Sequence, residues 1–142
     1  MANYYATARS NYFAVKDEQA FRAWATLRGL TILEPDFQDI TADGISRFGI
    51  APGDDDDSGS WPTVHFNDET GEDDDIDIAQ QLAEHLADDE VAVLMEVGNE
   101  KLRYMIGTAE AVNNKGESVF VDLETIYESA LTLGKNITRA EY

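Results

Sequence analysis

The chain has no cysteine, so disulfide staples, thiolate nucleophiles and thiolate metal ligands are excluded, in keeping with a reducing compartment. It also has no apolar run near the ~20 residues that a membrane span requires. The stretch Tyr4 to Val15 is broken by Thr7, Arg9, Ser10 and Asn11 and does not read as a secretory signal. No Gly-x-Ser-x-Gly elbow, phosphate-binding loop or zinc spacing occurs, and the two histidines, His65 and His85, have no sequence-local partner at metal-ligand spacing. With 29 carboxylates in the chain, no single acid pair points to glycoside chemistry. These absences favour a non-enzymatic, cytoplasmic protein without a cofactor.

Positive charge is the scarcest property. Ten Lys and Arg face 29 Asp and Glu, a net charge of −19. The imbalance is regional: residues 48–100 carry 17 carboxylates and no Lys or Arg, while residues 1–47 and 101–142 each carry six acids against five bases. Adaptation to high salt would spread carboxylates over the whole surface, which the balanced end thirds contradict. Such a field disfavours nucleic acid and anionic membranes and favours a basic protein surface or cations.

Enough is apolar to fold: 43% of the 142 residues, with 10% aromatic, suits one domain with a single core. Tyr4 to Val15 reads as a strand. Asp17 can cap a helix over Glu18 to Arg28, with Ala20, Phe21, Trp24 and Leu27 or Arg28 at helical spacing, Phe21 and Trp24 as core residues and Gly29 as the C′ residue. Leu30 to Leu33 and Gly44 to Ile50 read as strands, with a loop or poor strand over Asp36 to Asp43 between them. Pro52 to Ser60 reads as a surface loop, because four adjacent aspartates repel inside any packed element. Val64-His65-Phe66 is a short strand, and Asn67 to Gly71 turns the chain into a second acid block. Ile78, Ala79, Leu82, Ala83 and Leu86 share one stripe of a helix over Ile76 to Ala87, with Asp73, Asp74, Asp75 and Asp77 at its N-terminus, where the helix dipole offsets their repulsion. His85 at the edge of that stripe reads as a packed side chain.

Val91 to Val97 reads as a buried strand, Gly98-Asn99 as a turn and Lys101 to Val112 as its partner. Asn113 to Gly116 is a hairpin signal, and Ser118 to Val121 returns, completing a three-stranded meander. Asp122 can cap a closing helix, Leu123 to Leu133, before a frayed tail. The pattern predicts an α+β fold: a mainly antiparallel sheet of five to six strands packed by about three helices, with acidic loops around 53–60 and 67–75.

Two acid blocks carry the functional reading. Asp54, Asp56, Ser58 and Gly59 match positions 1, 3, 5 and 6 of an EF-hand loop, but position 12 is His65 where a bidentate Glu is needed, so no specific metal site is expected. The candidate partner-binding residues are Asp54, Asp55, Asp56 and Asp57 in the first block and Asp68, Glu69, Glu72, Asp73, Asp74, Asp75 and Asp77 in the second. Glu84, Asp88, Asp89 and Glu90 continue the set. Duplex DNA presents one negative charge per ~1.7 Å of axis, and spaced carboxylates can compete for the groove that reads it. In its small size, acidity and blocks of Asp, the chain resembles the phage and plasmid proteins that mimic DNA to block restriction or CRISPR enzymes; the resemblance is one of composition, because those proteins share no motif. It implies an inhibitor or regulator of a basic nucleic-acid-binding protein. The alternative is a structural or assembly module whose acids serve solubility.

Overall fold

The computed structural model describes residues 4–35, 44–53, 59–100 and 104–140. Along them run β1 (Tyr4–Ser10), α1 (Glu18–Leu27), β2 (Leu30–Leu33), β3 (Gly49–Pro52), β4 (Val64–Asn67), β5 (Glu72–Asp75), α2 (Ile78–Ala83), β6 (Val91–Glu100), β7 (Tyr104–Asn113), β8 (Ser118–Asp122), a 3-10 turn at Leu123–Thr125 and α3 (Ile126–Ala130). The fold is α+β and every described strand pair is antiparallel. Instead of one sheet of five or six strands, the described residues form eight strands in three sheets: β1-β6-β7-β8, β2-β3 and β4-β5. The expected loop or strand over Asp36 to Asp43 lies outside the described residues.

The meander β6-β7-β8 forms as expected, and β1 closes onto its free side by pairing with β6 from Tyr4↔Glu100 to Ser10↔Leu94. Period-two alternation gives this sheet two unlike faces. The inner face carries Ala92 and Leu94 of β6, and Val112 and Glu110 of β7 pair with them. The outer face carries Val91, Met95 and Val97, all exposed, with Met105 of β7 and Val119 and Val121 of β8 beside them. The expected turn at Gly98-Asn99 is instead part of β6. A Cβ at Gly98 would stand 2.4 Å from the Tyr5 carbonyl oxygen and 2.9 Å from Ala6 Cα, so glycine is there to let β1 approach.

α2 packs on β6 and β7 and covers the inner face, and α1 packs against β2 beside it. Asp17 caps α1 through the Ala20 N–H, 3.1 Å, and Gly29 takes the left-handed conformation, φ 70°, just beyond its end. Phe21 is fully buried between Phe13, edge-on at 5.7 Å, and Phe48, stacked at 6.0 Å. Gln81 joins the two helices: its Oε1 accepts from Trp24 Nε1 and Arg28 Nε, both at 2.9 Å. His85 packs against the Trp24 ring at 5.3 Å. Burial lowers its pKa from the ordinary value, with Lys16 acting in the same direction and Glu84 and Asp17 opposing.

Several expected element ends shift: the strand expected over Tyr4 to Val15 stops at Ser10, and the helix expected over Ile76 to Ala87 runs only from Ile78 to Ala83. The strand expected over Gly44 to Ile50 starts at Gly49, because only from there does the chain lie beside β2; Phe48 makes a single bridge to Phe13. The closing helix expected over Leu123 to Leu133 is a 3-10 turn and five α-helical residues with no buried side chain, and Ile126, Leu131 and Leu133 are exposed. The tail is held, not frayed, as far as Ala140. Arg139 sits over the Tyr127 ring at 4.5 Å and pairs with Glu124, and the Ala140 N–H donates to the Tyr127 hydroxyl, 2.6 Å.

Candidate functional site

Aspartate is depleted in strands, and local pattern alone puts Glu72 to Asp75 in a loop before a helix. The structure makes them β5, paired with β4 in the register Val64↔Asp75, His65↔Asp74, Phe66↔Asp73 and Asn67↔Glu72. The connecting turn explains the override. Asn67 Oδ1 accepts from the Glu69 N–H at 2.9 Å, Gly71 at φ 72° returns its N–H to the Asn67 carbonyl at 2.8 Å, and Thr70 Oγ1 accepts from the Glu72 N–H at 3.3 Å. Asn67 Nδ2 then donates across the ribbon to Asp74 Oδ2, 3.0 Å. A turn of this kind sets the register, and the register outweighs residue preference.

The second acid block is therefore a two-stranded ribbon, not a loop around 67–75 and not the first turn of a helix. Asp73 and Asp75 share a face with the exposed Phe66 and Val64; Glu72 and Asp74 share the other with Asn67 and His65. Asp68 and Glu69 occupy its turn. Among the described residues no Lys, Arg or His forms an ion pair with any of these six acids. The helix dipole gives no account of Asp73, Asp74 and Asp75; only Asp77 serves α2, its Oδ1 accepting from the Gln80 N–H at 3.2 Å. Asp77→Ala is accordingly expected to cost about 1 kcal/mol in urea unfolding, whereas Asp75→Asn costs nothing or stabilises as repulsion between neighbours falls.

The ribbon is rooted on the inner face of the large sheet. The Ile76 N–H donates to the Thr63 carbonyl, 2.9 Å, extending the pairing by one residue. Glu96, an inward residue of β6, accepts from the Trp61 N–H with Oε1 and from the Tyr4 hydroxyl with Oε2, both at 2.8 Å. Burial, and then the bond and charge of Glu96, push the Tyr4 hydroxyl up to about 12. Beside this root lies an open cavity of about 330 Å³ whose lining includes Trp61, Ile76, Asp77, Leu94, Glu110 and Phe120.

Glu110 is the carboxylate that sequence reading missed. It has the same strand parity as Tyr104 and Ile106, which was the signal available. Burial first and the charge of Asp77 second raise its pKa above the ordinary 4.5. The folded chain thus holds this proton more tightly than the unfolded chain, so its contribution to stability is full below the unfolded value and is lost as pH rises through the folded one. Glu110→Gln is expected to raise the urea midpoint near neutral pH and to leave it unchanged near about pH 4.

The remaining candidates separate. Glu84 is exposed at the C-cap of α2, Asp88 is exposed and accepts from Asn114 Nδ2 at 3.0 Å, and Asp89 is exposed with φ 65°. Glu90 does not belong with them. It accepts from the Ala14 N–H at 2.7 Å and from Arg47 Nε and Nη2 at 3.0 and 3.2 Å, and both side chains are under one-fifth exposed, 17% and 18%. Its charge is spent inside the fold. Asp54, Asp55, Asp56 and Asp57 lie outside the described residues. No protein-family model matches this chain, and no curated protein or solved structure matches it.

Proposed function

We propose that this protein is a non-enzymatic acidic binder whose β4-β5 ribbon engages a basic, nucleic-acid-binding protein surface in place of nucleic acid. One observation carries the reading. β5 presents four consecutive carboxylates along an extended backbone, alternating between its two faces so that each face carries one per ~6.6 Å of strand, a dense row of fixed negative charge of the kind a phosphate-binding surface meets on nucleic acid. Local preference opposes a strand of this composition, and such conflicts between local and global choices gather at functional positions. Asp68, Glu69 and Asp77 extend the field to either side, and the first acid block adds to the same regional charge.

The test is a pull-down with the full chain as bait, eluted along a salt gradient and challenged with excess duplex DNA. Both salt and DNA are expected to release the retained protein, with affinity falling steeply as ionic strength rises. Retention that is flat in salt, or indifferent to DNA, overturns the reading. A second reading is an assembly module whose acids serve solubility. It draws on a separate observation, the exposed apolar outer face of the four-stranded sheet.

A further inference from the structure

We propose that two copies of this chain associate through the outer face of the four-stranded sheet, stacking sheet on sheet about a twofold axis. Six apolar side chains on that face, Val91, Met95, Val97, Met105, Val119 and Val121, are 49% to 71% exposed. They belong to three adjacent strands in register, so they form one surface. Monomeric soluble proteins rarely leave contiguous apolar patches beyond a few hundred Å² uncovered. The short α3 does not cover this one, since none of its residues is buried; the turn before it lays the Leu123 side chain over Gly107 at one end of the face, and Leu123 is itself half exposed and apolar.

Charge selects the occupant. In a chain of net charge −19, the outward positions of the four strands hold no Asp or Glu among the described residues, and Arg9 is the one charged side chain there. Arg9 is already engaged, with its Nε on the Ser10 carbonyl at 2.9 Å and its guanidinium over the Tyr12 ring. Among the described residues, a basic partner would find no carboxylate on this face, and a nucleic acid would find no cationic stripe. A second copy offers the matching apolar, uncharged surface.

Size and geometry agree. Strands of seven, ten, ten and five residues make a face of roughly 500 Å² in plan at ~3.3 Å per residue and ~4.8 Å between strands. Side-chain relief brings this toward the ~800 Å² per partner that a stable interface buries. Aligned sheets pack about 10 Å apart in this way. The ribbon is rooted on the inner face through Glu96, so stacking outer faces leaves the two ribbons on opposite sides of the pair, with both sheets between them.

The test is sedimentation equilibrium on the full chain across micromolar concentrations, with Val97→Lys and Met95→Lys as variants and Phe66→Lys on the ribbon as control. The parent is expected at twice 15.7 kDa, with dimer affinity rising as salt screens the repulsion between like-charged copies, the reverse of the salt dependence expected for a basic partner. Each β6 variant enters a twofold interface twice and places an ammonium among apolar side chains, so the dissociation constant should rise at least about a hundredfold. Both positions are more than half exposed in the single chain, and circular dichroism should show each variant folded. Each lysine also removes net negative charge, so general repulsion cannot account for a loss of dimer. The Phe66→Lys control should sediment as the parent does.

A parent that stays monomeric throughout overturns the proposal. A dimer insensitive to both β6 variants overturns it as well, because pairing through the β8 edge leaves Met95 and Val97 untouched. Should one β6 variant fail to fold, the other decides.

Discussion

Replacing Glu90 with alanine is expected to lower stability by about 3–5 kcal/mol, the range for removing one partner of a largely buried ion pair. The substitution takes from Arg47 a carboxylate that both Nε and Nη2 donate to, and takes from the Ala14 N–H its acceptor at 2.7 Å. Arg47 is only 17% exposed, so water replaces the lost contacts poorly. Ala14 is itself buried beside Phe13, which places the damage at the edge of the aromatic cluster. Against a total of about 5–15 kcal/mol for a domain, this is a loss that brings unfolding close to ambient temperature. Glu90→Gln keeps an acceptor and should cost less than half as much. Urea unfolding followed by circular dichroism measures both, and an unchanged midpoint for Glu90→Ala would mean that the pair contributes nothing.

Neutralising the ribbon should do the opposite to the fold and the most to binding. In the variant Glu72→Gln, Asp73→Asn, Asp74→Asn and Asp75→Asn, four adjacent like charges are removed from a strand in which none has a basic partner among the described residues. Stability should hold or rise. Affinity for the basic protein retained in the pull-down should fall about a hundredfold or more, chiefly in the association rate, because steering by the summed field contributes factors of ~10–1,000. The slope of affinity against salt should flatten in step, as fewer ions are released on contact. Surface plasmon resonance against that protein reads both quantities. If this variant binds as the parent does, the carboxylates serve solubility and the assembly module is the better account. Sedimentation of the same variant should still report a dimer, since the ribbon lies on the other side of the sheet.

Much of the scaffold was written in short-range pattern. The capping of α1 by Asp17 and its termination before Gly29, the turn at Asn113 to Gly116 and the capping role of Asp122 all depend on residues within four positions of one another. Sequence carries such information directly. The placement of 17 of the 19 net negative charges in the middle third is likewise a property of the chain alone. Contacts between distant segments decided the rest. Glu72 to Asp75 became a strand because the Asn67 to Gly71 turn aligned them with β4, against the preference of every residue in the run. Gly98 joined a strand because β1 arrives from more than 90 residues upstream and needs the space a side chain would fill. Asp88, Asp89 and Glu90 are three consecutive acids that no local rule distinguishes, yet two face water and the third is held by Arg47, 43 residues away. Composition thus determined the sign and region of the charge. Which carboxylates remain free to meet a partner was decided by the fold, because burial and pairing are properties of neighbours in space.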